Sequence, residues 1–483
     1  MAGMVAAGTR PRENFRIGRE RLAARADFRA GRYRKAEARL KSVLERRPRD
    51  EQIHVALGEA RLALAAEESH LDAAQELLKT ARSDFRAAAV LCPPCVEAAH
   101  GLAQAEARLA FLHRGEPPDP PLDPVARFRR LLELRPHGIA YRSLFIEYLH
   151  VAGRTDLLPE QVRRLAYAYP PAVRSMAREP FWNPTMEAAA RAGVRQALAD
   201  DVLPRESHEL MSLLHGNEGD WKRALEHYRA AMAIQSFRNG ERDFLRLGEL
   251  QLRNDKREAA RASFDRALSI SPDREAALRR VYAVHQNTDR LLDFAGYAPS
   301  LTRFFVYSQA PALIRAKALA EAGRKAEARD LLTRLGDEQR SAEAYARLAE
   351  MARTDQDWDA MELAAHRATV LEPRHVPYRL LLAESLQRQG KLDRVESELS
   401  LAIQYQKPPS DQLFHRRAML RWRRKDFAAA LKDWRVAVRI RPDHGGYRRR
   451  LERATEQLRG QAETTASEAE PEAAANRHRA TRG

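Results

Sequence analysis

The chain has 483 residues, a formal net charge of +17 and a hydrophobic fraction of 44%. Its length alone predicts about three domains. It contains no stretch of 18 apolar residues, so no membrane-spanning helix is expected. Its first residues lack the charged leader and apolar core of a signal peptide, which favours the cytoplasm. Strict alternation of apolar and polar residues, which is typical of β-strands, is scarce, and Ala, Leu, Arg and Glu are abundant. The sequence therefore predicts an all-α protein.

The N-terminal part of the chain predicts a short disordered terminus followed by a pair of helices. Residues 1–14 are expected to be disordered. The first helix pair is predicted near residues 16–48, with its turn at Gly31 and a small residue, Ala36, five positions later. The same spacing from a turn residue to a small residue returns as Gly219 to Ala224, Asp255 to Ala260, Gly323 to Ala328 and Lys425 to Ala430.

The only two cysteines form the motif Cys92-Pro-Pro-Cys95. Pro93 stands where a helix is expected to end, and no βαβ pattern surrounds the pair, which places the motif at a junction between helical units. A zinc site would need two further ligands, and His100 is the single nearby histidine. We interpret the pair as structural, with a reversible disulfide and a metal site as the alternatives.

Two proline-containing segments interrupt the helical pattern before residue 204. Residues 115–124 hold five prolines in ten positions and predict an extended loop between two helices. Residues 180–184 cut another helix short and carry Phe181 and Trp182 beside the break. These two aromatic side chains either fill a packing gap at an imperfect junction or form an exposed contact surface.

Three segments in the second half of the chain repeat one pattern in phase. They are Phe244-x2-Leu247-Gly248, Ala260-x3-Phe264-x2-Ala267 and Pro272; Tyr345-x2-Leu348-Ala349, Ala365-x2-Ala368 and Pro373; and Phe414-x2-Arg417-Ala418, Ala430-x3-Trp434-x2-Ala437 and Pro442. In each, the first aromatic residue precedes the proline by 28 positions. The step from Ala260 to Ala328 is two periods of 34, so a degenerate unit is predicted around Leu278 to Leu301. Such a period predicts a helical solenoid.

This pattern resembles the tetratricopeptide repeat (TPR), whose consensus is W-x2-L-G-x2-Y, A-x3-F and P. The first segment departs from it at two aromatic positions, with Phe244 in place of Trp and Gln251 in place of Tyr. The resemblance implies about twelve units, several degenerate, stacked as antiparallel helix pairs in a right-handed superhelix. We divide them into an N-terminal array with insertions (15–204) and a C-terminal array (205–443), then a capping helix (444–458) and a disordered tail (459–483).

Positive charge is concentrated near the two ends of the chain. Residues 10–47 hold 14 basic and 5 acidic residues, and residues 415–453 hold 14 basic and 4 acidic residues. Basic ends favour anionic partners such as acidic proteins, nucleic acid or lipid headgroups. A coding bias toward arginine is the simpler explanation of the excess, because 73 of the 84 basic residues are Arg.

Catalytic and cofactor motifs are missing from the sequence. It holds no phosphate-binding glycine loop, dinucleotide fingerprint, H-E-x-x-H or G-x-S-x-G motif. His208 and His215 lie seven residues apart on one predicted helix, a spacing that more often reflects packing than metal binding. We therefore expect a protein that is not an enzyme and that has no cofactor and no metal site.

Candidate partner-binding residues follow from the TPR resemblance, which implies that the first helices of successive units line a concave groove. The family's carboxylate-clamp set of Lys and Asn is missing at the matching positions. Those positions, with their flanking arginines, are His415, Arg416, Met419, Trp422 and Arg423 in the last unit and Leu245, Glu249 and Leu252 in the unit from 241. An aromatic ring flanked by guanidinium groups suits an acidic peptide or a stacked base. Alternatively, Trp422 packs under the capping helix.

The sequence thus predicts a protein–protein scaffold or adaptor that holds a partner peptide or helix in its groove. One alternative is a helical repeat that binds nucleic acid through its basic ends, although it lacks a regular base-reading pair of side chains in each repeat. Another is an accessory subunit of a membrane-bound enzyme.

Overall fold

The computed structural model describes residues 5–112, 121–177, 179, 181–234, 237 and 239–461, with side chains from residue 13 onward. All regular secondary structure in these ranges is helical, which confirms the predicted all-α class. The chain divides into two compact units, Met1–Asn254 and Asp255–Gly483. The predicted division into two arrays after residue 204 stays a prediction.

Helices α1 to α13 make up the first unit. They are α1 Val5–Arg29, α2 Tyr33–Arg46, α3 Glu51–Glu67, α4 Leu71–Leu91, α5 Val96–Leu112, α6 Pro124–Leu134, α7 Ile139–Val151, α8 Leu158–Ala168, α9 Pro170–Met176, α10 Pro184–Ala199, α11 Pro204–Asn217, α12 Trp221–Ala233 and α13 Glu241–Arg253.

Helices α14 to α25 make up the second unit. They are α14 Arg257–Ile270, α15 Arg274–Asn287, α16 Leu291–Tyr297 with a following 3-10 helix Ala298–Phe304, α17 Ala310–Glu321, α18 Lys325–Gln339, α19 Ala342–Thr354, α20 Trp358–Leu371, α21 Val376–Arg388, α22 Leu392–Tyr405, α23 Asp411–Arg423, α24 Phe427–Ile440 and α25 at residues 445–461. The capping helix predicted at 444–458 corresponds to α25.

Within each unit, helices that follow one another in sequence pack together and form a stack of antiparallel pairs, because the turns between them are short. The short helix α9 interrupts this order, and α8 packs on α10 across it. Pro170, Pro184 and Pro204 each stand at the first position of a helix, where a missing N–H costs nothing. These three prolines therefore begin helices.

The turn residues predicted from the five-residue spacing all adopt positive φ angles. The angles are 73° at Gly31, 79° at Gly219, 56° at Asp255, 82° at Gly323 and 64° at Lys425. A left-handed residue ends a helix by redirecting the chain, and glycine adopts this conformation without steric cost. The small residue that follows five positions later is fully buried in all five cases. This local geometry explains the recurring spacing.

The degenerate unit predicted between Ala260 and Ala328 consists of α15 and α16. Its turn residue is Asp289, with a φ of 56°, and the buried residue five positions later is Phe294 rather than alanine. The larger ring replaces the small residue at the helix contact, which is why the pattern was hard to recognise in the sequence.

A buried cluster of charges fixes the end of the proline-rich segment. Glu106 on α5 is completely buried and accepts hydrogen bonds from Arg82 Nε at 3.0 Å and from Arg127 Nε at 3.2 Å. The backbone N–H of Asp123 donates to the same carboxylate at 3.0 Å. The cluster therefore ties α4, α5 and α6 together. Residues 115–120 of the predicted loop lie outside the described residues.

Phe181 and Trp182 are partly buried against the core cluster of α5 to α11. The Phe181 ring stacks on His150, with 4.5 Å between ring centroids. The two aromatics thus fill a packing position at the helix break. Pro180 lies outside the described residues.

The two ends of the chain were predicted to be disordered. Residues 5–14 lie in α1, and residues 459–461 lie in α25. Residues 1–4 and 462–483 lie outside the described residues, so the prediction for them stands untested.

Candidate partner-binding site

A groove of about 1360 Å³ runs across the first helices of the first unit. Helix α1 forms one side, α3 forms the floor, and the turn before α5 closes the far side. Its apolar lining includes Phe15, Leu22, Val55, Ala56 and Val96. These are groove-facing side chains of successive first helices, the position at which the TPR resemblance predicts a partner.

Helix α1 presents two different faces. Ile17 and Ala24 are buried against α2 and α3, whereas Phe15 and Leu22 are 76% and 70% exposed. Both pairs are seven residues apart, which places each pair on one side of a helix. The exposed pair faces the groove, so α1 carries an apolar stripe that the described residues of this chain do not cover.

The α1 side of the groove is basic. Arg21 joins α1 to α3 through an ion pair with Asp50 at 3.4 Å and a hydrogen bond to Gln52 at 2.6 Å. Arg19, Arg25 and Arg29 also line the groove and are exposed. Among the described residues, none of these three forms an ion pair with a carboxylate, so their charge faces the groove.

The opposite side of the groove is acidic. Glu51 and Glu59 on α3 and Glu97 on α5 all line it. Desolvation of the Glu59 carboxylate and the charge of Glu97 raise the pKa of Glu59, and the positive charge of Arg25 partly opposes them. A cationic side chain from a partner would relieve both effects.

The cysteine motif lies at the edge of this groove, at the junction between α4 and α5 as predicted. Both cysteines are free and partly buried. The Cys95 thiol donates to Glu97 Oε2 at 3.5 Å. Burial raises the pKa of this thiol, a backbone hydrogen bond with Ala98 opposes that effect, and the Glu97 carboxylate adds to it. In the described part of the chain, no cluster of three or more His, Cys, Asp or Glu is placed to hold a metal ion.

His415 lies on α23 and contacts residues of α24 and α25 in the last unit. Its Nδ1 accepts a hydrogen bond from Trp434 Nε1 at 3.1 Å, and its ring lies 4.9 Å from Tyr447. Burial and the positive charge of Arg450 lower its pKa. Both ring contacts make His415 part of the packing between these helices.

Met419 and Trp422 are partly buried in a cluster formed by α23, α24 and α25. The Trp422 ring lies 4.6 Å from Phe427 and 5.6 Å from Trp434. This arrangement corresponds to the alternative in which Trp422 packs under the capping helix. Arg416 and Arg423 on the same helix are exposed.

The three predicted residues of α13 are placed differently. Leu245 and Leu252 are 8% and 2% exposed, so little of either side chain is open to a partner. Glu249 forms ion pairs with Arg246 at 2.7 Å and Arg253 at 3.3 Å. A partner-binding role for the predicted residues of α13 and α23 stays a prediction.

Sequence reasoning missed an internal network of arginines at α23. The buried carboxylate of Asp433 on α24 pairs with Arg417 at 2.7 Å and with Arg421 at 3.0 Å. Arg421 and Arg424 also bind Glu396 on α22, at 2.8 and 2.9 Å. Three of the basic residues counted in the C-terminal excess are therefore already neutralised. The 16-residue step from Arg417 to Asp433 was the available signal.

Three histidines meet where α11 and α12 pack together. His208 and His215 do share one face of α11, and His227 of α12 lies between them. The Nδ1 atoms of His208 and His227 are 2.9 Å apart, and the rings of His215 and His227 stack at 5.4 Å. Burial lowers the pKa of all three, and for His227, which is also affected by the other two, to about 4.

The family model of the tetratricopeptide repeat matches residues 244–274, which cover most of α13 and all of α14. The chain carries a tetratricopeptide repeat. The predicted resemblance to the tetratricopeptide repeat is confirmed. The number of units and the right-handed superhelix stay predictions.

Several solved structures resemble this chain at low sequence identity. The structure of Naa15/Naa10 bound to HypK-THB aligns at 12% identity and a TM-score of 0.41, covering 92% of this chain and 66% of the other. Yeast Tom70 aligns at 13% identity and a TM-score of 0.34, covering 92% and 97%. A TPR protein from Parabacteroides merdae aligns at 17% identity and a TM-score of 0.27, covering 52% and 99%.

No curated protein sequence matches the chain. None of the helices in its described residues combines the length and the apolar character needed to cross a membrane.

Proposed function

We propose that this chain is a non-catalytic interaction scaffold and that the groove of its first unit binds an amphipathic helix from a protein partner. One observation carries the proposal: the described residues leave the apolar stripe of Phe15 and Leu22 uncovered in a groove that has arginines on α1 and carboxylates on α3 and α5. Amphipathic helices commonly bind in grooves of this kind, through apolar anchors spaced along one face.

The size of the groove fits such a segment. A volume of 1360 Å³ holds roughly three turns of helix, taking a helix diameter of about 10 Å. Three turns are enough to place anchors at positions i, i+3 or i+4 and i+7 against Phe15, Leu22 and Val96. The partner's anchors would then cover the exposed apolar surface of α1.

The charges of the groove define the flanks of the partner helix. Acidic side chains would face Arg19, Arg25 and Arg29 on α1. A basic side chain would face Glu59 and Glu97 and could pair with their carboxylates. We therefore expect a helix with an apolar face, an acidic flank along α1 and a basic flank along α3 and α5.

A selection from a library of helical peptides displayed on phage tests the proposal with purified full-length protein. We expect enriched peptides to share apolar residues at helical spacing with acidic residues on one side. Binding of an enriched peptide, measured by fluorescence anisotropy, should weaken at least about tenfold in the variants Phe15→Glu and Leu22→Glu.

Leu363→Glu is the matched control, because Leu363 is a 57% exposed leucine on α20 in the other unit. This variant should bind the enriched peptide as the unchanged protein does. A selection that enriches no helical pattern, or enriched peptides that bind Leu22→Glu as tightly as the unchanged protein, would overturn the proposal.

A further inference from the structure

Four exposed arginines of the second unit gather around Met419 and Trp422. Arg416 and Arg423 flank these residues on α23. From α25, the Arg450 Nη1 atom lies 2.7 Å from Met419 Sδ, and the Arg453 guanidinium lies 5.8 Å from the centre of the Trp422 ring. We call Arg416, Arg423, Arg450 and Arg453 the α23–α25 basic surface.

These four differ from three other arginines that lie on α23 or directly after it. Arg417, Arg421 and Arg424 are paired with Asp433, Glu396 and Asp393 at distances of 2.5 to 3.0 Å. Among the described residues, no carboxylate forms an ion pair with any member of the α23–α25 basic surface. One side of α23 is thus neutralised internally, and the other side retains its charge.

We propose that the α23–α25 basic surface binds an acidic segment of a protein partner, independently of the groove in the first unit. Carboxylates of the segment would pair with the four guanidinium groups, which project from two helices that pack on one another. Arginine is well suited to carboxylates because its planar fork can form two parallel hydrogen bonds.

The environment of Trp422 favours an acidic protein segment over nucleic acid. Binding of single-stranded nucleic acid relies on aromatic rings whose faces are open for bases to stack on. The Trp422 ring is enclosed by Phe427, Trp434 and the Arg453 guanidinium, at 4.6, 5.6 and 5.8 Å. The surface therefore offers cationic groups and no free aromatic platform.

Fluorescence anisotropy with two labelled probes tests the inference on the full-length chain. One probe is a short peptide rich in glutamate with interspersed leucine, and the other is a single-stranded oligonucleotide of equal net charge. We expect the peptide to bind more tightly than the oligonucleotide. The charge reversals Arg416→Glu with Arg423→Glu should weaken peptide binding at least about tenfold at low salt.

Two further double variants make the result specific. Arg450→Glu with Arg453→Glu changes the same surface from α25 and should weaken peptide binding to a similar degree. Arg435→Glu with Arg439→Glu makes the same change in charge on exposed positions of α24 and should alter binding less than about twofold.

Three results would overturn the inference: no binding of the peptide, equal losses in all three double variants, or tighter binding of the oligonucleotide that the α23–α25 variants abolish. The last result would assign the surface to nucleic acid. Variants that lose binding of the glutamate-rich probe at this surface should still bind the selected helical peptide in the groove of the first unit. The two proposals can therefore fail separately.

Discussion

At the residue scale, the histidine cluster of α11 and α12 shows how packing decides a side chain's chemistry. The hydrogen bond between the Nδ1 atoms of His208 and His227 requires one ring to donate and the other to accept. Protonation of both rings would remove the acceptor and place like charges in contact. The cluster therefore favours neutral rings, in keeping with the lowered pKa values of its members.

The histidine cluster makes the stability of the fold depend on pH in a defined direction. The pKa of His227 falls from 6.5 to about 4 on folding, so the unfolded state binds more protons between these values and stability is lost as the pH falls through this window. The shift corresponds to at most about 3 kcal/mol. Amide hydrogen exchange of α11 and α12 should report this loss between pH 6.5 and 4.

His227→Gln should make that pH dependence clearly shallower, because the variant has no titrating ring at this position. His70→Gln is the control, since His70 is an exposed residue at the start of α4, and it should leave the dependence as it is. If the pH dependence of hydrogen exchange in α11 and α12 were the same in His227→Gln as in the unchanged protein, the cluster would not control that dependence.

At the scale of helices, the buried carboxylate of Glu106 replaces part of the apolar packing between α4, α5 and α6. It receives two guanidinium groups and a backbone N–H. Arg82 is itself only 5% exposed and also donates to the Pro121 carbonyl at 3.1 Å. The charge cluster thus holds the chain where it leaves the proline-rich segment.

Glu106→Gln should destabilise the first unit by about 3–5 kcal/mol, because it removes the buried negative charge that the Arg82 and Arg127 guanidinium groups share. The loss would be measured by urea denaturation followed by circular dichroism. Glu133→Gln is the control: it breaks an exposed pair with Arg130 on α6, and such pairs contribute about 0–1 kcal/mol. Equal effects of the two substitutions would contradict the role assigned to burial.

At the scale of the whole molecule, a stack of helix pairs couples each helix mainly to its neighbours. The second unit contains separate core clusters along its length, one of them formed by residues of α19 to α23. A destabilising substitution in one cluster should therefore increase local unfolding of the adjacent helices and leave distant helices unaffected.

Ala365→Leu tests this local coupling. Ala365 on α20 is completely buried, and overpacking such a position costs about 1–3 kcal/mol. Hydrogen exchange followed by mass spectrometry should show faster exchange in α19 to α22 and unchanged exchange in α3 to α5. Leu363→Ala, at an exposed position of the same helix, is the control and should change neither region. Uniformly faster exchange along the chain would contradict local coupling.

The sequence by itself determined the helical class, the repeat and the places of most turns. These properties depend on local geometry: a left-handed residue such as Gly323 must end one helix, and a small residue such as Ala328 must follow where the next helix approaches closely. Both requirements restrict the residue type at positions that recur at a fixed spacing in the sequence. The unit at Asp289 and Phe294 was recognised only from the period, since its buried residue is large.

Only the tertiary structure decided which charged and aromatic residues are free to meet a partner. Counting basic residues could not separate Arg417, which is paired with Asp433, from Arg423, which forms no ion pair with a described carboxylate. Helical spacing placed Trp422 on a groove face, whereas its exposure depends on α25 packing beside it. The groove at Phe15 and Leu22 likewise combines side chains from α1, α3 and α5. Exposure and pairing depend on neighbours distant in sequence, and for that reason a local pattern does not encode them.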